Sequence, residues 1–120
     1  MGITGIRVPR LCLGTLTMGP LQADIGIESG ADLIRHAVDM GVLFFDTAEL
    51  YGTYGHLRRA MQGMPRESVV IASRCYAYTY EGMRRSLERA LTELGTDYID
   101  IFGLHEQESR LTLRGHADAI

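Results

Sequence analysis

The sequence predicts an α/β domain built on a parallel sheet. Four short apolar runs recur along the chain: Leu11–Gly14, Val42–Phe45, Val69–Ala72 and Ile99–Leu104. Each is nearly continuous and bounded by polar or turn residues, the pattern of strands buried on both faces. Helical patterns lie between the runs, which begin about 30 residues apart. The order β-α-β-α-β-α-β, with a further helical pattern at the end, implies parallel strands joined by right-handed crossovers.

Each element has its own signal. The first run ends in the turn Gly14-Thr15. Leu33, Ile34, Ala37 and Val38 then mark one helix face, closed by Gly41 as a C-terminal cap. The second run leads into Asp46-Thr47 and a loop holding Tyr51. A short, weaker helix is expected around His56–Met61. After the third run, Met83, Leu87, Ala90, Leu91 and Leu94 form the clearest amphipathic stripe, ending at Gly95. Thr79 is placed to cap it, with Glu81 in its first turn. The fourth run ends at His105, and Leu113–Ile120 begins a last helix. That pattern reaches Ile120 without a cap, which reads as a chain cut inside a helix.

The composition fits this plan. A chain of 120 residues with 46% hydrophobic and 22% charged residues is sized for one domain, 1–120, and no linker divides it. The net charge of −3 offers no basic field for nucleic acid or anionic lipid. No apolar stretch approaches the about 20 residues of a membrane span, and the N-terminus lacks a signal-peptide core, so the expected location is cytoplasmic. Cys12 and Cys75 read as two buried free thiols. His36, His56 and His116 read as solvent-facing. Arg84, Arg85 and Arg89 alternate with Glu88 and Glu93, the mark of a solvated helix face. All twelve basic residues are Arg; there is no Lys, which excludes any chemistry requiring a lysine amine.

Two architectures accommodate four βα units. One is a small doubly wound sheet. The other is the first half of a (β/α)₈ TIM-type barrel, whose usual length is about 250 residues. No G-x-G-x-x-G and no P-loop follows any strand, so the phosphate fingerprints of the first are missing. In both, ligands meet the C-terminal strand ends, and the first polar groups there are informative. They are Gly14-Thr15, Asp46-Thr47 with Tyr51, Ser73-Arg74 and His105. No nucleophile elbow is present, and His105-Glu106-Gln107-Glu108 is not a zinc motif, so no metal is expected.

These groups suit carbonyl reduction. A carbonyl that accepts a hydride becomes an alkoxide and must be protonated. A tyrosine has that proton, but a free pKa near 10 makes it a reluctant acid. A nearby cation stabilises the tyrosinate, a carboxylate holds the cation, and an imidazole orients the carbonyl oxygen. The hydride itself must come from a cofactor.

Asp46-Thr47-Ala48-Glu49-Leu50-Tyr51-Gly52 resembles the D-T-A-x-x-Y-G signature of the aldo-keto reductases. Leu94-Gly95-Thr96-Asp97-Tyr98-Ile99-Asp100, followed by Leu104-His105, resembles their L-G-x-D-Y-I-D…L-H segment. Val69–Arg74 is similar to the strand that ends in their catalytic lysine, and Gly14-Thr15 to the first-strand turn beside the nicotinamide. The resemblance runs from about residue 5 to the end. It implies a (β/α)₈ barrel, of which only about the first four units are present. It also implies NADPH, or alternatively NADH, as cofactor and a small aldehyde or ketone as substrate. Tyr51 would be the proton donor, Asp46 the partner of the cation and His105 the orienting donor. Gly14, Thr15 and Asp46 would touch the cofactor.

Two departures matter. Arg74 stands where the family has lysine. Its planar fork is expected to bind Asp46 bidentately and miss the phenol, giving reduced or altered activity. The chain also ends after half the expected units, and most of the cofactor cradle would lie in the other half. A truncated product is the plain reading, and self-association through open barrel edges is expected of such a half. The alternative reading is a catalytically inactive fragment serving as a binding or assembly module. The tyrosines of Tyr76-Ala77-Tyr78-Thr79-Tyr80 either line a substrate mouth or pack on the neighbouring helix.

Overall fold

The computed structural model describes residues 2–107, 116, 118 and 119. The last predicted helix, Leu113–Ile120, falls mostly outside them. Four strands form one sheet: β1 (Leu13–Gly14), β2 (Phe44–Asp46), β3 (Val70–Cys75) and β4 (Ile101–Leu104). Three α-helices separate them: α1 (Ile27–Asp39), α2 (Tyr54–Ala60) and α3 (Tyr80–Leu94). Every pair of neighbouring strands is parallel, and their spatial order is β1-β2-β3-β4. A doubly wound sheet reverses direction at a switch point, whereas sequential order is that of a barrel wall. The sheet is therefore part of a barrel wall, with four strands and the three helices between them among the described residues.

Alternation along each strand separates two environments. Leu13, Phe45, Ile71 and Phe102 face the helices and join Ile34, Tyr54, Leu57, Ala90 and Leu94 in the core. Phe45 and Ile71 are completely buried. Phe44, Val70 and Ile101 point the other way and are only half-buried. Both the apolar back of the sheet and its edge strands β1 and β4 thus lack cover among the described residues.

The helices end as their sequences require. Thr79 Oγ1 accepts the Gly82 N–H at 3.1 Å, capping α3. Gly95 closes it in the left-handed conformation at φ 69°, its N–H donating to Leu91 O. Helix α1 begins at Ile27, six residues before the predicted apolar stripe. Its buried face is Gly30, Ala31 and Ile34, while Leu33 is exposed. Below the sheet, Arg66 donates to Asp100 Oδ2 at 2.6 Å and Thr96 Oγ1 at 3.1 Å, and covers the Tyr98 ring. Asp100 also accepts the Ile71 N–H, so this end of the L-G-T-D-Y-I-D segment is a structural clamp.

Three sequence expectations are corrected. Cys12 is exposed, because it alternates with Leu13 onto the uncovered face of the sheet; only Cys75 is buried. His56 is buried: its Nε2 bonds Ile25 O at 2.9 Å, and its ring lies against Gly30, where a Cβ would strike it. His116 is buried under Tyr78, ring centroids 4.3 Å apart, with Nδ1 on Ala77 O.

Candidate active site

The strand ends build the site. Register aligns Gly14 with Asp46 and Asp46 with Ala72. Arg74 lies one pleat beyond Ala72 on the same face, and its Nη2 reaches across to Asp46 Oδ2. The ion pair is made through one nitrogen, not the expected fork. Both side chains keep about a third of their surface in solvent, at 32% and 30%. Arg74 and the Tyr51 phenol share no hydrogen bond among the described residues.

Tyr51 ends a 3-10 turn, Glu49–Tyr51, that leaves β2. Gly52 stops that turn in the left-handed conformation at φ 65°, which glycine adopts without strain. The Tyr51 ring is buried and meets His105 edge to face, with centroids 5.6 Å apart and planes at 74°. His105 follows β4, anchored by its N–H to Cys75 O at 2.9 Å. Tyr76 stacks on the imidazole, ring centroids 4.8 Å apart. His105 Nδ1 is buried with no hydrogen-bond partner among the described residues. Burial, and then the Arg74 charge, push the His105 pKa below its usual 6.5. The imidazole is therefore held neutral, with one N–H to donate.

All four predicted catalytic residues, Asp46, Tyr51, Arg74 and His105, thus come from three successive units to one end of the sheet. Gly14 borders the same end, and open space lies where its side chain would be. Thr15 behaves differently from a rim residue. It is buried, and its Oγ1 bonds Asp46 O at 3.2 Å and Thr53 Oγ1 at 2.7 Å. Thr53 also bonds Thr47 Oγ1 at 3.0 Å. This trio of buried hydroxyls ties the ends of β1 and β2 to the start of α2. Sequence reasoning missed it, because threonine is equally at home in strands and turns; the repeat of Thr at 47 and 53, on either side of the Tyr51 turn, is the one available signal. Ser73 likewise turns from the rim to the helix layer, where it bonds Tyr54 Oη at 2.7 Å. Tyr76, one of the tyrosines whose place the sequence left open, lies on the rim against His105.

The chemistry fits the nicotinamide end of a dinucleotide. Gly14 leaves room above β1, and Asp46 offers a carboxylate at the neighbouring strand end. Among the described residues no three His, Cys, Asp or Glu gather to hold a metal, and no helix is long and apolar enough to cross a membrane.

The partial parallel barrel thus carries a phenol, an imidazole and an ion pair at its strand ends. The chain belongs to the aldo/keto reductase family, whose model matches residues 10–120. It is 32% identical to the uncharacterized oxidoreductase YrpG of Bacillus subtilis, over 92% of this chain and 40% of that protein. Among solved structures it resembles the thermostable aldo-keto reductase Tm1743, crystallised with the inhibitor epalrestat. Identity there is 33%, with TM-score 0.81, over 98% of this chain and 47% of that one. It shares its fold with the Bombyx mori aldo-keto reductase solved in complex with NADP, at 23% identity and TM-score 0.70 over 82% of this chain and 34% of that one. The chain spans less than half the length of these proteins.

Proposed function

We propose that this chain carries the catalytic rim of an NAD(P)H-dependent aldo/keto reductase, reducing small aldehydes or ketones to alcohols. One observation carries the reading: Tyr51 and His105 stand edge to face beside the Asp46–Arg74 pair at the C-terminal strand ends. Gly14 and Asp46 would border the nicotinamide, which supplies when bound the hydride that no side chain can, while buried Thr15 holds the strand ends beneath them. Neutral His105 donates a hydrogen bond to the carbonyl oxygen and fixes its direction. Tyr51 gives its proton to that oxygen as negative charge develops. Asp46 holds the cation at the rim. Arg74 keeps a positive charge there, but its engagement with Asp46 supports slower proton transfer than a lysine would.

The cradle for the pyrophosphate and adenosine would come from further βα units, or from a second copy of the chain. The open edges of β1 and β4 and the half-buried Phe44, Val70 and Ile101 support such self-association. Nicotinamide fluorescence during titration with NADPH tests the reading. Saturable binding that is weakened by Asp46→Ala, with a solution mass above one chain, is expected. Absence of binding by a chain that is folded and self-associated would remove the cofactor from the proposal.

A further inference from the structure

The turn carrying Tyr51 is gripped from two sides. On the inner side, Thr47 and Thr53 close the loop through their hydroxyls at 3.0 Å. On the outer side, Glu49 spans to α3: its Oε2 accepts the Ser86 hydroxyl at 3.0 Å, and its Oε1 forms an ion pair with Arg89 Nη1 at 3.1 Å. Apart from the Ser86 bond, no side-chain hydrogen bond reaches residues 48–52 among the described residues.

Ser86 and Arg89 are three apart, so they share one face of α3. That helix is itself fixed, by the Thr79 cap and by Ala90 and Leu94 in the core. A 3-10 turn has three residues per turn, so Glu49 and Tyr51 leave it in different directions. Glu49 points to α3 while Tyr51 points to His105, and any rotation of the turn moves both. The Ser86 hydrogen bond alone would permit such rotation; with the second carboxylate oxygen paired to Arg89, both oxygens are held and rotation is opposed. The Arg89 arm is 62% exposed, and a pair so solvated adds little to stability. Its geometric effect is not reduced in the same way.

We propose that Glu49 is a positioning residue, bracing the Tyr51 turn against α3 through Ser86 and Arg89 so that the phenol stays edge-on to His105. Its catalytic consequence rests on the reductase reading; its geometric consequence does not.

The ring of Tyr51 sets the magnetic environment of the His105 imidazole, which provides the test. The His105 signals are assigned in labelled protein with His105→Asn, and Tyr51→Leu defines their displacement when the ring is gone. Glu49→Ala is expected to move them in the same direction, Ser86→Ala less far, and Glu49→Gln, which keeps one acceptor, to lie nearer the wild type. With a carbonyl and NADPH, Glu49→Ala is expected to lower kcat about tenfold or more with little change in KM. A folded wild type that reduces no carbonyl, with His105 still displaced by Glu49→Ala, would sink the reductase reading and sustain the brace. Unmoved His105 signals in Ser86→Ala and in Glu49→Ala, whatever their Tm or turnover, overturn the brace. Should Glu49→Ala not fold, Ser86→Ala and Glu49→Gln decide alone.

Discussion

Arg74 of β3 donates to Asp46 of β2 at the rim of the sheet, and it makes no hydrogen bond to the neighbouring Tyr51. The carboxylate that would hold a lysine in this family instead holds a guanidinium. Arg74→Lys frees a compact ammonium on a flexible stem to approach the phenol while remaining near Asp46. The variant is expected to raise kcat for carbonyl reduction by on the order of tenfold, about 1.4 kcal/mol of barrier. Steady-state NADPH consumption compares the two; equal or slower turnover by the lysine variant would show that Arg74 already supports the phenol.

The threonine trio should matter to stability. Thr53→Val replaces a hydroxyl shared by Thr15 and Thr47, leaving buried oxygens short of a partner. The expected loss is about 1–3 kcal/mol, seen as a lower urea midpoint at unchanged slope. A midpoint equal to the wild type's would mean that water replaces the missing hydroxyl.

His105 gives stability a pH dependence. Its folded pKa lies below the usual 6.5, so the unfolded chain binds the proton more readily. Stability from this group is intact above about 6.5 and falls as pH drops from there toward the folded value. His105→Gln should flatten the slope of unfolding free energy in that window. An identical slope in the variant would assign the dependence to other groups.

Gly30 and His56 form a matched pair in the α1–α2 interface. A methyl at Gly30 would strike the His56 ring, so Gly30→Ala should destabilise the chain by about 1–3 kcal/mol. In the His56→Ala background the same substitution should cost less, and a thermal double-mutant cycle measures the coupling. Additive effects would place the strain elsewhere.

The sequence reading reached the order of strands and helices, because apolar runs and 3.6-residue stripes register burial directly. It also placed Asp46 and His105 at the C-terminal strand ends, as the structure has them, because the first polar group after a buried run must lie at its end. Exposure of Cys12 was not legible: an apolar neighbourhood normally means burial, and only the sheet shows that this residue faces the uncovered side. Nor was burial of His56, which depends on a glycine 26 positions earlier leaving room for its ring. Ser73 and Arg74 are adjacent in sequence, but the pleat sends one to Tyr54 and the other to Asp46. Contacts such as Glu49 to Ser86 join elements 37 residues apart, and no local pattern encodes them.

The central claim is that Tyr51 delivers the proton in an NADPH-linked carbonyl reduction. The most direct measurement follows NADPH consumption by the wild type and Tyr51→Phe across a panel of small aldehydes and ketones. The account predicts turnover by the wild type and a loss of about 10²–10⁴-fold in Tyr51→Phe, with NADPH binding retained. Equal turnover by the two proteins would contradict it.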